Sequence, residues 1–291
     1  LGLGRVFWGL TESNHLVDVI NQTDLVENPD GEDKLGQPML SLGLFPEWGD
    51  LELFLLPGFR EQSFPGREGR LRAPLPVGEA RYASGDEERH IDWALRWSRS
   101  LGAWDLGLSH FRGTAREPRM ELNDMAESGT ELRPFYDQMD QTGLELQAIT
   151  GGWIWKLEAI RRDWTGDRFF AAVGGFEYTL VGLGGSAADL GLIAEYSRDG
   201  RDSAEAGLLD DDLFIGGRLV MNDVQSAELL LGGIVDLSTQ ATLLSAEFSR
   251  RIGSRWRLAA EFRVFLDVDE DPILVAFDRD DYFQVELARY F

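Results

Sequence analysis

From Arg255 to Asp267 the side chains take turns. Trp256, Leu258, Ala260, Phe262, Val264 and Leu266 fall on one side. Arg255, Arg257, Ala259, Glu261, Arg263 and Asp267 fall on the other, interrupted only by Phe265. A period of two is that of a β-strand with one apolar and one charged face, whereas a helix repeats about every 3.6 residues. The end of the chain does the same. Phe283, Val285, Leu287 and Phe291 share a face, with Arg289 the exception, opposite Tyr282, Gln284, Glu286, Ala288 and Tyr290. So does the stretch 90–100, where Ile91, Trp93, Leu95 and Trp97 oppose Asp92, Ala94, Arg96 and Ser98. This alternation forces a sheet. It also demands an environment for each of two unlike faces.

Extending the pattern predicts strands over 1–8, 38–48, 51–59, 90–100, 103–112, 138–149, 153–164, 168–181, 188–198, 212–222, 225–237, 241–251, 255–267 and 282–291, about 14 in all. The stretches 9–37, 60–89 and 113–137 read as loops. In an antiparallel order the connections sort by side. One side takes Gly49-Asp50, Leu101-Gly102, 150–152, 182–187, Asp223-Val224 and 252–254, all short. The other takes 9–37, 60–89, 113–137, 199–211 and 268–281, with tight turns at 165–167 and 238–240. Short turns on one side and long loops on the other is the asymmetry of a transmembrane β-barrel, and the parity puts the last residue on the short-turn side.

Composition permits this reading. The 291 residues are 43% hydrophobic with a mean hydropathy of −0.22 and hold no run of about 20 apolar residues for a membrane helix. A barrel strand hides its apolar signal in every second residue, so mean hydropathy does not test for one. Nine Trp and 17 Phe are a large aromatic load. Trp48, Trp104, Trp153, Trp155, Trp256 and Phe291 fall near expected strand ends, where interfacial girdles sit. Cysteine is absent, which excludes disulfides and cysteine metal sites. A net charge of −23 argues against nucleic acid as a partner. The rival is a soluble β-sandwich or lipocalin-like barrel with its apolar face inward. No signal peptide is visible. The opening Leu1-Gly-Leu-Gly-Arg-Val-Phe-Trp8 reads as mid-strand, the expectation for a processed or truncated piece.

Gly4-Arg-Val-Phe-Trp-Gly9 is followed by Leu16-Val-Asp-Val-Ile-Asn-Gln-Thr-Asp24, then Leu35-Gly-Gln-Pro-Met39 and Leu55-Leu-Pro-Gly-Phe-Arg60. With the aromatic C-terminal strand, these resemble a group of Gram-negative outer-membrane barrels, distantly of the alginate-export porin type. The resemblance implies an all-β, antiparallel up-and-down transmembrane barrel occupying 1–291 as one domain, with further strands upstream in the full-length protein. It implies a bacterial outer-membrane location and contact with lipid and lipopolysaccharide. It implies delivery by the barrel-assembly machinery through the strand ending at Phe291. It brings no cofactor and no catalytic residues.

The charged faces nominate a lumen set: Arg218, Arg251, Arg255, Arg257 and Arg263, with Glu228, Asp236, Glu247, Glu261 and Glu286. Guanidinium groups along a lumen attract anions such as a small carboxylate or phosphate solute. The carboxylates are placed to lock the same arginines in internal ion pairs. Asp18, Asn21 and Asp24 suit a loop folded into a barrel mouth as a constriction, or a plain surface turn. Phe54, Leu56, Phe214, Val220, Leu230 and Ile234 would also point inward, which suits a partly filled lumen. Asp267, Asp269 and Asp271 are spaced like a calcium loop, with Asp278, Asp280 and Asp281 downstream, but Pro272 stands where that loop needs glycine. Asp210–Asp212 is a second acidic group. Solvated acid is the expected reading of both, with no metal site. The histidines are His15, His90 and His110, and Ser109-His110 would place nucleophile and base on opposite faces of a strand, so catalysis is not expected. The expected function is a porin-like or export-type channel for polar solutes. The alternatives are a structural or assembly barrel with an occluded lumen, and a soluble ligand-binding β protein.

Overall fold

A computed structural model describes residues 1–27, 31–124, 126, 129–164, 167–201, 210–271 and 273–291. In chain order the strands are β1 (Gly2–Gly4), β2 (Gln37–Leu44), β3 (Asp50–Pro57), β4 (Arg81–Tyr82), β5 (Ile91–Leu101), β6 (Trp104–Thr114), β7 (Arg119–Asn123), β8 (Glu131–Tyr136) and β9 (Gln138–Thr150). They continue as β10 (Trp153–Trp164), β11 (Asp167–Leu180), β12 (Asp189–Asp199), β13 (Asp211–Val220), β14 (Glu228–Asp236), β15 (Thr242–Ile252), β16 (Trp256–Leu266) and β17 (Tyr282–Arg289). Fourteen of them form one sheet in the order β1-β2-β3-β5-β6-β9-β10-β11-β12-β13-β14-β15-β16-β17. Sequential neighbours with antiparallel register are what short hairpins produce. Gly102 and Gly151 hold φ near +65° and +63° in two-residue connections, a conformation that costs a Cβ-bearing residue far more.

The 14-stranded antiparallel sheet agrees with the sequence reading, with three differences. The first expected strand shrinks from 1–8 to Gly2–Gly4, and the chain from Arg5 onward leaves the sheet. Arg255 lies in the turn before β16 and not on the strand. The segments 60–89 and 113–137, read as loops, contain β4, β7 and β8, a separate three-stranded sheet. β8 pairs with β4 in parallel and with β7 antiparallel. Pro134 inside β8 obscures it in the sequence, because proline cannot donate to a ladder. Within the expected turn at 165–167, residues 165 and 166 lie outside the described residues, as do Pro272 and most of the expected loop 199–211.

The chain divides into two compact units. The first comprises Leu1–Leu10, His15–Leu146 and Glu158–Ala172; the second comprises Thr11–Asn14, Gln147–Leu157 and Val173–Phe291. In the first, Trp8, Val17, Val19 and Ile20 pack with Phe54, Leu56, Phe111, Ile160, Trp164 and Phe169 in one buried cluster. The segment from Arg5 onward therefore covers one face of this part of the sheet. The opposite face is apolar and uncovered: Leu40, Leu42, Leu53, Leu55, Trp93 and Leu108 are all exposed. Beside it, Phe59, Tyr82 and Tyr136 form a ring cluster with centroids 4.8–6.0 Å apart that seats the small sheet.

In the second unit the alternation is equally plain. On β12, Ile193, Glu195, Ser197 and Asp199 are buried while Leu192 and Tyr196 are exposed. Leu192, Ile215, Leu231, Phe262, Val285 and Leu287 lie exposed on the outward face. The inward apolar residues find partners. Phe214 lies flat across Gly216 and Gly232, where an added Cβ would stand 2.7 and 2.4 Å from its ring.

Candidate functional site

Register fixes which residues share the charged face of the second unit. Asp212, Phe214, Gly216 and Arg218 on β13 lie opposite Asp236, Ile234, Gly232 and Leu230 on β14. Leu230 meets Glu247, and Glu228 meets Ser249, on β15. Glu247 then meets Glu261, and Arg251 meets Arg257, on β16; Glu286 on β17 meets Ala259. Strand by strand, Arg218, Glu228, Asp236, Glu247, Arg251, Arg257, Glu261, Arg263 and Glu286 occupy one face, as the alternation implied. Arg255 keeps their parity but stands exposed in the turn.

They do not behave as one ladder. Arg263 is buried and locked: its Nε donates to Glu261 at 2.6 Å and its Nη2 to Glu247 at 3.3 Å. Glu261 also accepts from the Tyr282 hydroxyl. Arg218 is held by Glu12 and lies 3.6 Å from Glu228. Asp236 is spent on its own turn, where Oδ1 accepts from the amides of Ser238 and Thr239 at 2.6 and 2.8 Å. Arg251, Arg255 and Arg257 are exposed and have no acidic partner among the described residues.

Residues 11–14 sit on this face. Glu195, 2% exposed, accepts from the Glu12 amide at 2.8 and 2.9 Å, from the Ser13 amide at 2.8 Å and from the Ser13 hydroxyl at 2.7 Å. Asn14 Nδ2 donates to Ser197 Oγ at 3.3 Å. A buried carboxylate is tolerable only when such donors replace its water.

The first unit repeats the arrangement with other residues. Glu158, fully buried, accepts from the Leu10 amide at 2.6 Å and the Val17 amide at 3.3 Å. Gln141 donates to the Leu16 carbonyl at 3.2 Å and accepts from Arg162 at 2.8 Å. Arg116 donates to the Ile20 carbonyl at 3.2 Å and to Asp92 at 2.8 Å, and its guanidinium lies 4.9 Å from the Phe111 ring. Arg96 grips Glu145 with two bonds of 2.8 and 3.1 Å. A cavity of about 210 Å³ opens beside that pair, lined also by Asp50, Arg99 and Asp105.

The three constriction candidates lie in this seated segment. Asn21 braces it: its Oδ1 accepts from the Val6 amide at 2.8 Å, and its Nδ2 donates to the carbonyls of Gly4 and Leu35 at 2.9 and 2.8 Å. Asp24 accepts from Ser63 and from the Val26 amide. Asp18 accepts from the Trp8 amide at 3.3 Å and lies 3.8 Å from Lys34. Burial, with the charge of Glu158 adding, pushes the Asp18 carboxyl up to about 6; Lys34 and the Trp8 amide pull the other way.

Sequence reasoning missed Glu12, Asp92, Glu145, Glu158 and Glu195. Each falls at a charged position in, or opposite, an alternating strand, but its partner lies up to 206 residues away. Ser109 is buried and His110 faces outward toward Thr142, at 3.0 Å, and Asp140, at 3.8 Å. Asp271 caps its own turn through the Ile273 and Leu274 amides, and Asp281 accepts from the Phe265 amide. Among the described residues no group of three or more His, Cys, Asp or Glu is placed to hold a metal ion. Compared with known protein families, curated proteins and solved structures, the chain matches none.

Proposed function

We propose that this chain is a bacterial outer-membrane β-barrel: its sheet closes around a charged lumen and admits polar solutes, with residues 5–24 lying on the inner face as a constriction. The observation that carries this reading is the inversion of polarity across the sheet. Asp92, Glu145, Glu158, Glu195 and Arg263 are buried, while leucines and tryptophans on the alternate positions are exposed. Water-soluble sheets bury the opposite face. The outward face also has its charges at strand ends. On β16 the outward residues from Trp256 to Leu266 are all apolar. That run is roughly 33 Å along the strand, which at a barrel's tilt spans about 25 Å of hydrocarbon. Outward Arg161, Asp163 and Arg168 lie at the ends of β10 and β11, and Arg198 and Asp211 at the ends of β12 and β13.

An occluded structural barrel is the second reading. It is favoured by the apolar cluster in which Trp8, Val17, Val19 and Ile20 fill the inner face of the first unit. Reconstitution into planar bilayers separates the two. A channel gives stepwise conductance, and replacing Arg251 and Arg257 by Gln lowers its anion preference in reversal potentials. A folded, detergent-dependent protein that leaves the bilayer silent supports occlusion. A protein that stays in buffer without detergent ends both readings.

A further inference from the structure

We infer that the short-turn end of the second unit binds the phosphate of an anionic phospholipid headgroup, on an outward-facing site made by Arg250 and Arg289 beside Trp256 and Phe291. The inference rests on the membrane reading above.

Arg289 breaks the apolar alternation of β17. It pairs with Trp256 in register, so it lies on the outward face with Leu287 and Val285. Its guanidinium stands 5.3 Å from the Trp256 ring and 4.8 Å from the Phe291 ring. Two rings therefore hold the cation without neutralising it, and it has no carboxylate partner among the described residues. Arg250 occupies the same face two strands over, on β15, opposite Leu258 of β16. Among the described residues its acidic neighbour is Asp223, 3.7 Å away, and half of the Arg250 side chain is exposed. Arg255 lies in the intervening turn, and Arg251 and Arg257 stand at the same end on the opposite face.

Five arginines thus gather at one end of three strands in a chain of net charge −23. At the opposite ends of β10 to β13 the outward arginines are already matched. Arg161 and Arg168 share Asp163, and Arg198 pairs with Asp211. Arg289 and the half-exposed Arg250 stand where exposed Trp256, Ile252 and Phe291 end the apolar face. Tryptophan and arginine at such a boundary place an indole at headgroup depth and a guanidinium against phosphate, with geometry for a bidentate contact. The chemistry that fits is a phosphodiester with acyl chains lying along Leu258, Leu287 and Val285. A free anion would gain nothing from that apolar neighbourhood.

The test is native mass spectrometry of the full chain in detergent, titrated with equal amounts of phosphatidylglycerol and phosphatidylcholine. Each cation at a lipid surface contributes about 1 kcal/mol, about fivefold in affinity, so phosphatidylglycerol adducts should exceed phosphatidylcholine adducts at least fivefold. Arg250→Gln with Arg289→Gln should bring the ratio near one, and Lys at both positions should keep most of it. A photoreactive phosphatidylglycerol should crosslink wild-type chain within 250–291. Crosslinks elsewhere, or equal adducts of both lipids on a detergent-dependent chain, overturn the headgroup site and leave the membrane reading standing. Loss of the preference to inorganic phosphate at matched ionic strength replaces the lipid with a free anion. A chain soluble without detergent that takes no lipid removes the membrane reading itself.

Discussion

Glu195 is the sharpest place to test how residues 11–14 are held. Its two oxygens serve three donors, the amides of Glu12 and Ser13 and the Ser13 hydroxyl, from a side chain that water barely reaches. Glu195→Gln keeps the shape but leaves one acceptor oxygen and turns an NH₂ group toward a donor. With the oxygen at Oε2 all three donors keep a partner, but the charge assistance is lost and the NH₂ at Oε1 faces the Glu12 amide. Charge-assisted bonds contribute roughly 1.5–3 kcal/mol each, and an amide stranded in a buried site costs about 1–3 kcal/mol. Relaxation recovers part of this, so the local opening free energy should fall by about 3 kcal/mol, close to a hundredfold in the opening equilibrium. Hydrogen exchange at the Glu12 and Ser13 amides reads that number, with β16 amides as the control. In bilayers the same variant should pass more current if the segment narrows the lumen. Protection of the two amides within about twofold of the wild type would refute the reasoning, because the carboxylate would then be incidental to the seat.

Asp18 gives a pH signature in the other part of the segment. Its carboxyl is pushed from 3.8 up to about 6, so the fold favours the protonated form. That stabilisation is full below about pH 4 and is lost as pH rises through 6, so exchange protection around Trp8 and Asp18, corrected for intrinsic rates, should fall by on the order of a hundredfold between pH 4 and 7. Asp18→Asn should flatten the profile. Gly232→Ala should lower stability by about 1–3 kcal/mol through overpacking against Phe214, read as a lower denaturation midpoint, and Phe214→Leu in that background should recover part of it. Arg263→Gln should weaken the fold and, by leaving Glu247 and Glu261 uncompensated, shift the reversal potential toward cations; an unchanged potential would show that these carboxylates do not face an ion path.

The sheet was legible because its signal is local. A period of two survives in every hairpin, and neighbouring strands in sequence are neighbours in space. Small boundary errors mattered only where chemistry stood on the boundary, as at Arg255, which the turn claims. The three-stranded sheet was hidden because β4 has two residues and β8 contains Pro134, so neither repeats long enough to show a period. The charged face was legible as a face but not as a set of partnerships. Arg218 reads as a cation paired with neighbouring Glu228, yet Glu12, 206 residues away, is its closest acid. No spacing rule reaches that far.

The inward apolar residues show most clearly why the parts must be read together. Phe54 and Leu56 on the charged side of β3 seem to contradict a wet lumen. The contradiction dissolves once Trp8 is found 5.8 Å from the Phe54 ring and in the same buried cluster as Leu56 and Val17. Those positions are apolar because the chain covers them with its own N-terminal segment. The neighbouring carboxylates follow from the same cause. A segment without strand partners leaves its amides and carbonyls unsatisfied when buried, and Glu158 and Gln141 supply what a sheet ladder would otherwise provide. Charge on this face is thus divided between groups that seat the segment or lock one another and groups left exposed. By that division Arg251 and Arg257 are exposed cations without an acidic partner among the described residues, while Arg218 and Arg263 are held by carboxylates.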